Sequence, residues 1–271
     1  PPRSTLFPYT TLFRSVPFDT TFAWTPGDLA VSHDVYLGTS FEDVNDASVS
    51  DPRGVLVAQG QEHPAYDPEN ALEYGQTYYW RIDEVNGAPD YTVFKGQVWS
   101  FTVEPYSYPV QPIAATASSS GANMGPENSI NGVGLNANDE HGTEATQMWT
   151  SGNEMPRWIQ YEFDKAYKLD KMLVWNSNQV IEAFLGFGAK EVVIEYSADG
   201  ATWIALEGVP EFARAPGSPD YKANTTVEFG GATAKFVKLT INTNWGGIAQ
   251  QAGLSEVRFF QVPVQAREPS P

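Results

Sequence analysis

Cysteine is absent from this 271-residue chain, which excludes disulfide staples, thiol nucleophiles and zinc sites built on thiolates. The absence leaves the compartment open, because sandwiches of this size can hold together by their cores alone. Basic residues are scarce: 16 Lys and Arg stand against 33 Asp and Glu, a formal net charge of −17. A phosphate backbone or an anionic membrane calls for clustered Lys and Arg; no such cluster occurs, so nucleic acid is excluded as a partner. No apolar run approaches the roughly 18 residues needed to cross a bilayer, so no membrane insertion is expected. Histidine is nearly missing. His33, His63 and His141 are scattered singly, with no Ser-His-Asp or His-rich ligand spacing, so catalysis within these residues is not expected. Also lacking is any sustained apolar stripe at i, i+3, i+4, i+7, so helix should be scarce.

What the chain has is aromatics, 8 Trp, 13 Tyr and 15 Phe, placed in short β-branched and aromatic runs as strand faces require. The first 15 residues stand apart. Thr5-Leu-Phe-Pro-Tyr-Thr10 is followed at once by Thr11-Leu-Phe-Arg-Ser15, a near-repeat without the layout of a secretory signal. It resembles translated sequencing-adapter DNA and is set aside as artefact or disordered chain. In residues 16–104, Phe22-Ala-Trp24, Ser32–Leu37, Gln76–Ile82 and Gly96–Val103 read as strands punctuated by Gly38, Asp51-Pro52, Asp67-Pro68 and Gly75. The early Trp, then Y-Y-W-R-I, then V-W-S-F-T-V, resemble a fibronectin type III domain. This stretch holds 15 acidic against 3 basic residues, a net of −12, as suits a solvated spacer.

Pro105 and Pro109 interrupt the strand pattern, placing a second domain over residues 105–264. Its strand-like runs are Trp158–Phe163, Met172–Trp175, Val192–Tyr196, Thr226–Phe229, Phe236–Ile241 and Glu256–Phe260. Asp199-Gly200 sits between two of them, the pair that tolerates positive φ in a tight turn. Residues 265–271 read as a Pro-rich linker, so the expected parent is longer and modular.

Five blocks in order, M-W-T-S, W-I-Q-Y-E-F, I-E-Y-S-A-D-G-A-T-W, K-F-V-K-L-T-I-N and G-L-S-E-V-R-F-F, resemble the F5/8 type C, or discoidin, family over residues 108–263. The fold class expected is therefore all-β, a fibronectin type III-like sandwich followed by a discoidin-like jelly-roll sandwich. The resemblance implies a binding role, with rim loops that take a polysaccharide or glycan and a structural calcium nearby. Mapped by motif, it implies calcium ligands at the carbonyls of Asn128 and Val133, the side chain of Asn131, the carbonyl of Ser255 and the carboxylate of Glu256. Asn131 stands where the family usually has Asp. A hard cation accepts such neutral oxygens. The oxygen-rich Asn136–Glu140 insertion offers further ligands.

Sugar recognition needs flat aromatic faces and planar amides on loops. Asn176-Ser-Asn178-Gln179 with Phe184, and Asn242–Gly247 with Asn244 and Trp245, supply both. The expected site has Trp245 stacking on a sugar ring, Asn176, Asn178 and Asn244 orienting hydroxyls, and His141 reaching in from the insertion. Trp149, Trp158, Trp175 and Trp203 are expected in the core. The function these residues suggest is a non-catalytic carbohydrate-binding module with a spacer, in a larger exported or cell-surface bacterial protein with neighbouring modules. Alternatives are a structural adhesion segment binding protein, or an accessory region of a glycoside-processing enzyme.

Overall fold

The computed structural model describes residues 15–263. The near-repeat up to residue 14 and the Pro-rich linker expected at residues 265–271 lie outside the described residues. The chain divides into two compact units, residues 1–106 and 107–271. Both are built from sheets, with helix limited to short segments among the described residues.

The first unit runs β1 (Ser15–Val16), β2 (Phe22–Ala23), β3 (Ala30–Gly38), α1 (Phe41–Asp46), β4 (Leu56–Gln61), β5 (Ala65–Tyr66), β6 (Thr77–Asn86), β7 (Val93–Phe94) and β8 (Trp99–Val103). One sheet has the order β1-β8-β6-β3-β4, with β7 also on β6, and β2 pairs with β5. Phe22 of β2 meets Trp80 of β6 at 5.3 Å between ring centroids, so the small pair packs on the larger sheet. Arg81 is fully buried. Its guanidinium is bidentate to Asp83 at 2.8 and 2.9 Å and donates to Ala47 O at 2.8 Å, so the buried charge is paired and also ties the end of α1 to the sheet.

The second unit runs β9 (Tyr108–Val110), β10 (Ala114–Ala117), β11 (Trp149–Thr150), β12 (Arg157–Asn176), α2 (Glu182–Leu185), β13 (Val192–Ser197), β14 (Ile204–Ala205), β15 (Thr225–Ile241) and β16 (Gly253–Gln261). The sheet order is β11-β16-β12-β15-β13-β14, with β10 on β12 and β9 on β16. Along β12, Ile159, Tyr161 and Phe163 are buried while Trp158, Gln160 and Glu162 are half-exposed, the alternation that strand geometry imposes.

β12 and β15 are long partners whose pairing is broken by register shifts between Glu162 and Tyr167 and between Leu169 and Lys171. Such irregularities bend strands, and here they fold both over, so each gives one half to each layer. Tyr161 and Phe163, from the first half of β12, meet Phe259 of β16 at 5.4 and 5.2 Å, although β16 pairs with the second half of β12. The fold-over returns the end of β12 at Asn176 to the same end of the sandwich as the end of β15 at Ile241. Trp149 and Trp175 are core residues. Trp158 and Trp203, expected in the core, are only half-buried; Trp158 occupies an outward register position, and Trp203 lies between β13 and β14 against Phe236.

Candidate functional site

The fold-over brings two loops together, residues 177–191 after β12 and 242–252 between β15 and β16. Bridges join Gly188 to Gly253 and Ala189 to Asn244, and the Gly246 N–H donates to Gly186 O at 2.9 Å. Gly186 closes α2 at φ +62, and a Cβ there would stand 2.3 Å from Gly246 N, so the join requires glycine. Glu182 of α2 is fully buried and accepts the Gly188 N–H at 3.0 Å. Burial raises its pKa, with the Gly188 hydrogen bond and the Arg214 charge pulling the other way.

The amides expected to face a sugar are turned inward, and the reading of them as hydroxyl-orienting groups is corrected. Asn176 is fully buried and donates to Ala189 O at 2.7 Å and Ala213 O at 2.8 Å. Asn178, equally buried, donates to His141 O, Gly142 O and Ser218 O at 3.2, 3.1 and 2.8 Å and accepts the Gly217 N–H at 2.9 Å. Gln179 is buried and donates to Thr150 Oγ1 at 3.0 Å. Asn244 donates to Ala249 O and Gln251 O, both at 2.6 Å, and accepts the Gly247 N–H at 2.7 Å. Asn176, Asn178 and Asn244 satisfy loop backbone groups that would otherwise be buried unpaired, and Gln179 holds a buried hydroxyl.

Two more expected contacts are redirected. His141 is fully buried, with Nδ1 2.9 Å from Gly142 O, and burial lowers its pKa; it packs inward instead of reaching into a ligand. Trp245 is half-buried, its Nε1–H donates to Phe212 O at 2.9 Å, and Lys190 Nζ lies 4.9 Å from its ring centroid. It therefore braces the loop with one face covered by a cation.

The two loops present a set of apolar side chains to solvent, beside the exposed polar residues Glu191, Asn242, Thr243 and Gln250. Phe184 and Ile248 are each 81% exposed, and Val180, Ile181 and Leu185 are exposed beside Phe184 in sequence. Of the expected sugar contacts, Phe184 is the most exposed, at 81%, and Trp245 is half-buried. Val180, Ile181, Leu185 and Ile248 were not singled out from sequence; the signal was an apolar run, V-I-E-A-F-L, inside a segment bounded by turn residues.

The turn expected to supply calcium ligands meets Glu256 through Gly132. Residues 126–129 form a 3₁₀ turn, held by Asn128 Nδ2, which donates to Thr146 O at 3.0 Å and Met148 O at 3.3 Å. Asn131 Oδ1 accepts the Val133 N–H at 2.9 Å, and the Gly132 N–H donates to Glu256 Oε2 at 3.1 Å. On β16 the register passes from Glu256 opposite Trp175 to Leu254 opposite Asn176, so Ser255 is the extra residue of a bulge and its backbone is released from the ladder. Glu256 is buried, at 3% exposure; desolvation pushes its pKa from 4.5 up to about 7, against the opposing pull of the Gly132 N–H and Arg258. A buried carboxylate with a bulge and an Asn-bearing turn beside it is a donor set that fits a hard cation. The Asn136–Glu140 insertion does not add to it: Asn136 Oδ1 accepts the Asn138 and Glu140 N–H groups, and Asp139 and Glu140 pair with Arg258 and Lys222.

The F5/8 type C domain family model matches residues 114–254. No curated protein sequence matches the chain. Among solved structures, the chain is similar to CBM32-3 from a family 31 glycoside hydrolase of Clostridium perfringens, with 17% identity and a TM-score of 0.43 over 58% of this chain and 95% of that one. It is similar to the CBM32 of AlyQ, solved with 4,5-unsaturated mannuronic acid, at 18% identity and a TM-score of 0.40 over 56% and 98% of the two chains. A third likeness is to a CBM32 of a Clostridium perfringens protein in complex with GalNAc-β-1,3-galactose, at 18% identity and a TM-score of 0.40 over 54% and 93%.

Proposed function

The chain belongs to the F5/8 type C domain family, and from that premise we propose that its second unit is a non-catalytic carbohydrate-binding module of a larger exported or cell-surface protein. Among the described residues no helix is long and apolar enough to cross a membrane. The observation that carries the reading is the two-loop rim, where Phe184 and Ile248 stand 81% exposed on a frame fixed by buried amides. An aromatic face flanked by aliphatic side chains suits the C–H-rich face of a pyranose ring, and an exposed apolar patch rimmed by polar surface marks an interaction site. The surface is shallow, so single sugars bind weakly and attachment to a polymer gains from repetition.

Titration of the full chain against plant and algal polysaccharides tests this. Phe184→Ala and Ile248→Ala are each expected to weaken binding by about tenfold, the scale of losing one stacked or apolar contact, while Trp245→Phe keeps most of it. Equal binding by all variants would place the platform elsewhere. A wild type that binds no glycan would move the protein-adhesion reading ahead.

We also propose that the Asn128–Val133 turn holds a structural calcium through the carbonyls of Asn128, Val133 and Ser255, the Asn131 side chain and the Glu256 carboxylate. The ion would add positive charge beside a buried carboxylate whose cationic neighbour, Arg258, is itself paired with Asp139. The first unit serves as a fibronectin type III-like spacer; its strand order and its net charge of −12 over residues 16–104 support that role.

A further inference from the structure

The chain contains two Asn-Gly pairs, Asn86-Gly87 and Asn131-Gly132, and the fold surrounds them differently. In such a pair the glycine nitrogen, unshielded by a side chain, can attack the asparagine side-chain carbonyl. Asn86 ends β6 at 9% exposure, and the Gly87 N–H donates to a backbone carbonyl, Leu29 O, at 3.2 Å. No proton acceptor of useful basicity faces it there. Asn131, by contrast, is exposed. Its Oδ1 accepts the Val133 N–H at 2.9 Å, and the Gly132 N–H donates to Glu256 Oε2 at 3.1 Å. Gly132 sits at φ +68 with open space where a Cβ would be.

Three parts of an intramolecular acyl transfer thus meet at this turn: a nucleophilic nitrogen, a carboxylate from β16 on its proton, and a backbone donor on the oxygen where charge develops. We propose that Asn131-Gly132 is a self-modifying deamidation site in which Glu256 acts as the general base. The Gly132 nitrogen attacks Asn131 Cγ while its proton passes to Glu256, and the new C–N bond gives a tetrahedral oxyanion held by the Val133 N–H. The carbonyl re-forms as ammonia leaves, taking the proton back from Glu256, and the product is a cyclic imide. Water opens the imide at either carbonyl to leave aspartate or isoaspartate, so the net change is amide plus water to acid plus ammonia, with no oxidation. The aspartate product carries a second carboxylate in the turn beside Glu256, and on the calcium reading above it adds a charged ligand where the gene encodes an amide. That consequence rests on the calcium reading; the deamidation does not.

The test is peptide mass spectrometry with chromatographic separation of aspartate from isoaspartate, on the full chain in chelator at neutral pH, folded and in denaturant. Asn131 is expected to convert about tenfold or more faster in the folded protein than in the denatured chain, the lower end of what a positioned base contributes, and Asn86 to convert more slowly when folded. Glu256→Gln, which still accepts the Gly132 N–H but cannot take its proton, should bring Asn131 down to the denatured rate while the second unit keeps a cooperative unfolding transition, read by fluorescence of its buried Trp149 and Trp175. Conversion of Asn131 no faster in the folded protein than in the denatured chain overturns the proposal, and so does a Gln variant, with its second unit still folded, that converts as fast as wild type. Because the readout is chemical and made without calcium, it stands or falls separately from calcium binding.

Discussion

Asn178→Ala is expected to destabilise the second unit by about 3–5 kcal/mol, read as a lowered denaturant midpoint with an unchanged slope. One side chain there joins three segments: its Nδ2 donates to the insertion at His141 O and Gly142 O and to the 213–220 loop at Ser218 O, and its Oδ1 accepts the Gly217 N–H. Removing it leaves a buried donor and buried carbonyls without partners, at about 1–3 kcal/mol for each group that water cannot reach. Asn178→Asp tests the same hub with its shape kept: the acceptor survives, the donors are lost, and a charge is left buried among carbonyls. A loss below about 1 kcal/mol for the Ala variant would show that water replaces the amide, and the hub would then be a weak one.

The same residue shows why part of the site was not legible in the sequence. Strand positions were readable because alternation is local: Trp158–Phe163 carries its inward and outward faces in six consecutive letters, and the strand indeed buries Ile159, Tyr161 and Phe163. The meeting of the Asn128–Val133 turn with Glu256 was readable from the family's spacing, and the Gly132 to Glu256 hydrogen bond joins them. The direction of a loop amide is not local. N-S-N-Q after a strand has the composition of a solvated loop, and only the fold-over of β12 and β15 packs other backbone segments around it. Those segments carry unpaired N–H and C=O groups, and a buried Asn is the side chain that can satisfy both kinds at once. Val180, Ile181, Phe184 and Leu185 show the reverse. They read as ordinary apolar chain, yet the buried Glu182 and the Gly186 turn fix the segment so that its apolar side chains face water.

Glu256→Gln is expected to flatten a pH dependence of about 3 kcal/mol in the calcium-free protein. Burial raises the folded carboxyl from 4.5 to about 7, so between those values the folded state holds a proton that the unfolded chain has released. Stability from this group is therefore greatest below the unfolded value, falls as pH rises from 4.5 through about 7, and levels off above; the span follows from about 1.4 kcal/mol for each tenfold change in proton affinity. Glu182, raised by burial, slopes the same way, and His141, lowered by burial, slopes the opposite way below its ordinary 6.5. Both persist in the variant, so the difference between the two denaturation series isolates Glu256. Calcium adds the complementary test. An ion on Glu256 competes with its proton and binds only the folded state, so added calcium should raise the melting temperature more at about pH 8 than at about pH 5.5 in wild type, and leave Glu256→Gln unmoved at both. Parallel pH series for the two proteins would mean that water solvates the carboxylate, and a melting temperature indifferent to calcium and chelator would leave the turn as structure alone.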